Sequence, residues 1–258
     1  MNGVSLALRQ VRYTNRAFWR NPASAIFTFV FPLMFLAIFT ALLGGGRVEV
    51  APGVLLDQAS YYVASMTAFA VITACFTNLA MSVTYQRDAG ILKRLRGTPL
   101  PGWAYLSGRV IHALLVALLL VVITTSFGVA FYEADAPTGT RLAEFSLVLL
   151  VGSTSFAALG LATTPSIPNA DAAPAMVNAI ILPLLFLSGV FIPIEPTSPA
   201  WVRAIGAVFP VRHFTDAMLA SFYGSPFAFE WHDVAIVAAW GIAGLLLAVW
   251  RFSWEPHR

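Results

Sequence analysis

Between Arg20 and Arg47 the chain runs for 26 residues without one charged side chain, and Phe, Leu and Ala dominate the stretch. Crossing the hydrocarbon of a bilayer, about 30 Å, takes about 20 helical residues. Residues 23–43 therefore suffice for one passage. The pattern recurs: no charge lies between Asp57 and Arg87, between Arg109 and Glu133, or between Asp171 and Glu195. Six spans are expected, at about 23–43, 60–84, 106–131, 145–164, 172–192 and 232–251. Of the 258 residues 59% are hydrophobic and 10% charged, where soluble domains carry roughly 25% charged residues. A soluble core of this size would not hide so much apolar surface. The expected fold is an all-α integral membrane protein, one transmembrane domain over 1–258.

Residues 2–21 are too polar to span. Arg9, Arg12, Arg16 and Arg20 fall at helical spacing and occupy a stripe of roughly 80°. Val4, Leu8, Val11 and Phe18 project to the other side. Such a helix lies in the interface, arginines towards anionic headgroups; the plainer alternative is a basic tail that only sets orientation. The first apolar run exceeds a signal-peptide core and lacks a clear small-residue cleavage site, so it reads as a retained span. Pro22 breaks the chain before that span and Gly44, Gly45 and Gly46 end it, leaving a short loop over 47–58. Segment 193–230 carries Pro193, Pro196, Pro199, Pro210 and Pro226. Its apolar stretches near 200–208 and 212–223 are each too short to span. A helical hairpin that dips into the membrane or rests on it fits this segment.

Orientation follows from arginine and lysine near the spans. One side receives the N-terminal four, Arg87, Lys93, Arg94, Arg96, Arg109, Arg251 and Arg258; the other receives Arg47, Arg141, Arg203 and Arg212. Eleven against four places both termini and the loop 85–104 in the cytoplasm. Because these positives flank apolar runs, membrane topology explains them better than a nucleic-acid surface.

Several chemistries are missing. Lys93 is the only lysine and follows Leu92, so no G-x-x-x-x-G-K-[ST] phosphate loop exists. His112, His213, His232 and His257 show no ligand spacing, and Cys75, the only cysteine, reads as small apolar filler. Carboxylates sit in loops, whereas ion-coupled carriers place ionisable groups at mid-membrane. Asn78 and Asn178 lie within spans, where they either glue helices or line a substrate path.

Two segments carry more. The loop Tyr85-Gln-Arg-Asp-Ala-Gly-Ile-Leu-Lys-Arg-Leu-Arg-Gly-Thr-Pro-Leu-Pro101 is a charged stretch, a short amphipathic helix and a stop at Gly97 and Pro99. The second is Leu187-Ser-Gly-Val-Phe-Ile-Pro-Ile-Glu195, followed by Trp201 and by Phe209-Pro-Val-Arg-His-Phe-Thr-Asp-Ala-Met-Leu219. With the span count, these resemble the permease subunit of an ABC type-2 exporter, of the daunorubicin-resistance-like drug and antibiotic efflux type.

The resemblance implies that Arg87, Asp88, Gly90, Ile91, Leu92, Lys93, Leu95 and Arg96 form a coupling helix docking on a separate ATPase subunit, which holds ATP and Mg. It implies no cofactor on this chain. The N-terminal helix would touch the ATPase. Gly189 and Pro193 would turn the chain into a re-entrant external hairpin, in which Arg212, His213 and Asp216 pair. A second permease copy, identical or not, completes the complex in a bacterial cytoplasmic membrane. The expected function is export of a hydrophobic or amphipathic compound. Export of lipid-linked glycan, polysaccharide or lipooligosaccharide is the alternative within the family. Outside it stand a membrane-embedded lipid-modifying enzyme and a non-transporting membrane partner.

Overall fold

The computed structural model describes residues 3–51, 53–195, 197–224 and 229–251; Pro196, Pro226, His257 and Arg258 lie outside the described residues. Helix α1 (Gly3–Trp19) precedes α2 (Pro22–Leu43), whose start is capped by Asn21, its side chain accepting from the Ser24 amide at 3.3 Å. Strands β1 (Arg47–Ala51) and β2 (Val54–Asp57) form an antiparallel hairpin where only a short loop was expected. Asp57 caps the next helix by accepting from the Ser60 amide. That helix runs without interruption over Gln58–Asp88, as α3 (Gln58–Ile72), a π-turn (Thr73–Thr77) and α4 (Asn78–Asp88). Then follow α5 (Ile91–Arg96), α6 (Gly102–Tyr132), α7 (Thr140–Thr163), α8 (Ala173–Phe186), α9 (Ala200–Val208), α10 (Pro210–Tyr223) and α11 (Trp231–Arg251).

Burial separates the rim from the centre. In α2 only Ala25, Thr28, Pro32, Leu36 and Thr40 are buried, one stripe at helical spacing, while Phe27 and Leu42 stand exposed. Helix α11 repeats this with Val234, Val237, Gly241, Gly244 and Ala248. Water does not tolerate such exposed apolar faces at this scale; lipid does. By contrast every residue from Tyr61 to Ile72 is buried, so α3 is the axis of the bundle. Helices α7 and α11 meet closely because Gly241 has no side chain: a Cβ there would stand 2.2 Å from the Ser155 hydroxyl oxygen.

Among the described residues five helices are long and apolar enough to cross a membrane: α2, the continuous Gln58–Asp88, α6, α7 with its following 3₁₀ turn, and α11. The fifth expected span, 172–192, is only partly helical. Helix α8 has 14 residues, about 21 Å at 1.5 Å per residue. Past its end at Phe186 the chain turns at Gly189, which adopts φ +82°, a conformation an L side chain resists. The carbonyls freed there are taken by the central helix: Tyr61 donates its hydroxyl hydrogen to Gly189 and Tyr62 donates to Phe191.

Candidate functional site

The elbow between α4 and α6 is built in two layers. The chain leaves α4 at Asp88 and turns through Gly90, at φ +68°, into α5. Ile91, Lys93, Arg94 and Arg96 are exposed on α5, Leu95 is half-buried, and Leu92 is fully buried. Arg87 departs from the expectation that it faces a partner, being only 2% exposed. Its guanidinium donates to the carbonyl oxygen of Thr164 at 2.6 Å, to that of Ile167, and to that of Pro168 at 3.5 Å. Asp88 stays exposed, yet its carboxylate accepts from the Ala170 amide at 3.0 Å. The pair therefore staples the elbow to the α7–α8 connection, because carbonyls ending α7 need donors and a buried guanidinium needs acceptors.

Arg9, Arg12 and Arg16 of α1 and Arg20 just past its end are exposed, while Ala7 is buried. Val4 and Leu8, expected on the apolar side, are 66% and 60% exposed and so flank the arginines without entering the bundle. Phe18 does pack inward, edge-on to Phe29 and to the His112 ring.

At the opposite end of the bundle, α9 and α10 form a helical hairpin hinged at Phe209. The hinge reaches the tenth residue of α11: Trp240 donates to the Val208 carbonyl at 3.0 Å and stacks on Phe209. Phe214 packs edge-on against Phe156 of α7. Arg212 and Asp216 pair at 3.5 Å as expected. His213 does not join them. Its Nδ1 is 2.6 Å from Asp233 and its Nε2 is 2.9 Å from the Ala207 carbonyl. The Asp233 carboxylate, helped by the Ala207 carbonyl, holds the imidazole above its ordinary pKa. His232 also approaches Asp233, at 3.8 Å. The histidines scattered in sequence thus include one gathered pair, but both His213 nitrogens are engaged within the protein.

A cavity of about 560 Å³ lies near the elbow, between α1, α2, the π-turn with α4, and α6. Asn78 lines it and donates to the Thr28 hydroxyl at 3.4 Å; Asn178 is not among its lining residues. The cavity is also lined by Arg109, which sequence spacing gives only as an orientation charge, and by His112, which has no ligand spacing.

A family model described as ABC-2 type transporter matches residues 8–223. That is most of the chain, from α1 to the end of α10. This chain belongs to the ABC-2 type transporter family.

Among proteins it is similar to, the Escherichia coli (strain K12) protein "Probable multidrug ABC transporter permease YbhR" is 28% identical over 161 residues, 62% of this chain. The match spans 43% of that relative's own length, less than half of it. A Bacillus subtilis (strain 168) protein whose name describes a transport permease, YvfS, is 25% identical over 89% of each chain. "Daunorubicin resistance ABC transporter permease protein DrrB1" of Streptomyces coeruleorubidus is 26% identical over 86% of this chain and 76% of its own. The stapled elbow, the hairpin and the cavity all lie inside the matched region.

Proposed function

We propose that this chain is the membrane permease subunit of an ATP-driven exporter, moving a hydrophobic or amphipathic compound of the drug or antibiotic kind out of the cell. Family membership supports the transport role, and the names of two relatives support the cargo class. In this reading the work is done on a separate ATPase subunit that carries ATP and Mg, an arrangement that family membership supports. The observation that carries the reading is the elbow. Its outer layer, Ile91, Lys93, Arg94 and Arg96, is exposed, while its inner layer, Arg87 and Asp88, is bonded to the α7–α8 connection. A push received outside is thereby delivered inside to two connections at once.

In this reading the permease crosses the cytoplasmic membrane six times, with α8 and the turn after it as the fifth crossing and both termini in the cytoplasm. The depth reached by Phe209 beside Trp240 supports a re-entrant α9–α10 hairpin. Helix α1 lies along the headgroups, and a second permease copy completes the complex.

Co-expression with the product of a neighbouring ATPase gene, followed by affinity purification through the permease, tests the reading. A stable complex whose ATP hydrolysis rises with an amphipathic cargo is expected. Turnover of a lipid by the permease alone, with no ATPase bound, would overturn it.

A further inference from the structure

Arg109 is the eighth residue of α6 and is only 6% exposed. Its one hydrogen-bonding partner among the described side chains is the Ser82 hydroxyl, which accepts from Nη2 and itself donates to the Leu79 carbonyl. The Nε of Arg109 has no partner. One turn along, His112 is 9% exposed and its Nδ1 has none either. Both side chains line the cavity, and among the described residues no aspartate or glutamate lines it.

A guanidinium cannot shed its charge under ordinary conditions, and an enclosed cation without an anion is among the costliest arrangements a protein keeps. What is missing is an acceptor with two oxygens, the shape a guanidinium fork fits best. The rest of the cavity says what carries that acceptor. Further along the same wall, Ala74, Leu79 and Val116 present apolar surface. At the other edge Ala17, Asn21, Ser24 and Tyr85 are exposed, so the mouth lies where α1 turns into α2.

We propose that this cavity is a binding site for the headgroup of an anionic amphiphile, a phosphate or carboxylate held by Arg109 and His112 with its apolar portion against Leu79 and Val116. The facing leaflet follows from the orientation proposed above; the binding chemistry does not depend on it, nor on the ATPase. A resident anionic phospholipid and an anionic cargo share this chemistry.

The test uses the full chain purified in mild detergent and analysed by native mass spectrometry. Probes are phosphatidylglycerol, phosphatidylcholine, dodecyl phosphate and inorganic phosphate. Phosphatidylglycerol is expected to bind in preference to phosphatidylcholine, with about a tenfold loss in Arg109→Gln and a smaller loss in Arg109→Lys. Ala17→Trp, at the exposed mouth, should cut binding while leaving the interior intact, so the proposal stays testable if Arg109→Gln fails to accumulate. Phosphatidylglycerol that survives purification identifies a resident lipid. Dodecyl phosphate that binds stripped protein and exchanges freely identifies a cargo-like ligand. Equal binding of both lipids, equal binding by wild type and folded Arg109→Gln, unaltered binding in Ala17→Trp, or inorganic phosphate binding as well as dodecyl phosphate would each overturn the proposal.

Discussion

The guanidinium of Arg87 donates to the carbonyl oxygen of Thr164 at 2.6 Å, joining the last turn of α4 to the end of α7 across 77 residues of sequence. Replacing Arg87 by Met keeps the bulk and removes the donors. Charged hydrogen bonds are worth about 1.5–3 kcal/mol each, and Arg87 donates to the carbonyls of both Thr164 and Ile167. A loss of about 3 kcal/mol is therefore expected, read as a lower midpoint of thermal unfolding in detergent. Arg87→Lys should recover only part of it, since an ammonium lacks the fork.

Reversing the outer layer should behave in the opposite way. Lys93→Glu with Arg96→Glu changes exposed positions, so the unfolding midpoint should shift little. Association with the proposed ATPase should weaken about tenfold or more, and its salt dependence should change. Equilibrium binding at two ionic strengths measures both. Unchanged affinity would move the contact away from α5.

The His213–Asp233 contact gives the hairpin a pH dependence of definite sign. Because the folded pKa of His213 is raised, the stabilisation is fully present below the unfolded value of about 6.5. It is lost as pH climbs through the raised folded value. Wild type should therefore unfold at a higher temperature at pH 6 than at pH 8.5, and Asp233→Asn should flatten that difference. A wild-type profile without slope would remove the contact from the stability of the fold.

Gly241→Val should open the contact of α11 with α7, since even a Cβ would stand 2.2 Å from the Ser155 hydroxyl. Overpacking of this kind costs about 1–3 kcal/mol. Gly241→Ala should cost less than Val, and a paired Ser155→Gly should recover part of the loss.

Orientation is accessible through cysteines, because Cys75 is fully buried and the chain has no other. In a Cys75→Ser background, Lys93→Cys should react with an impermeant maleimide only when the cytoplasmic face is open. Thr197→Cys, exposed near the hairpin, should react in intact cells. Reversal of the two would invert the proposed topology.

Much of this architecture was readable from the chain. The apolar runs at 23–43, 60–84, 106–131 and 145–164 each fall within long helices because a bilayer-length run has few other solutions. The stretches at 200–208 and 212–223 became α9 and α10 for the same reason in reverse, each bounded by proline. The β-hairpin has a signal in the sequence, the alternation of Arg47-Val48-Glu49-Val50 followed by the turn-favouring pair Pro52-Gly53. The early end of α8 had a weaker one, since it depends on hydroxyls of Tyr61 and Tyr62 more than 120 residues away. The burial of Arg87 and Arg109 has no signature in the sequence, because an arginine that fixes orientation and one that bonds inside the bundle look alike in one dimension. His213 and Asp233, 20 residues apart, have no spacing rule that would link them.

The widened turn at Thr73–Thr77 sets the phase between the two halves of the central helix. Above it Tyr61 and Tyr62 address the α8 turn; below it Asn78 and Ser82 address the cavity. Deleting one residue here would shorten the rod by about 1.5 Å but rotate its lower half by about 100° against its upper half. Insertion, which reads length and greasiness, would barely notice. Assembly, which reads azimuth, would be lost, with Ser82 swung away from Arg109 and Arg87 away from Thr164.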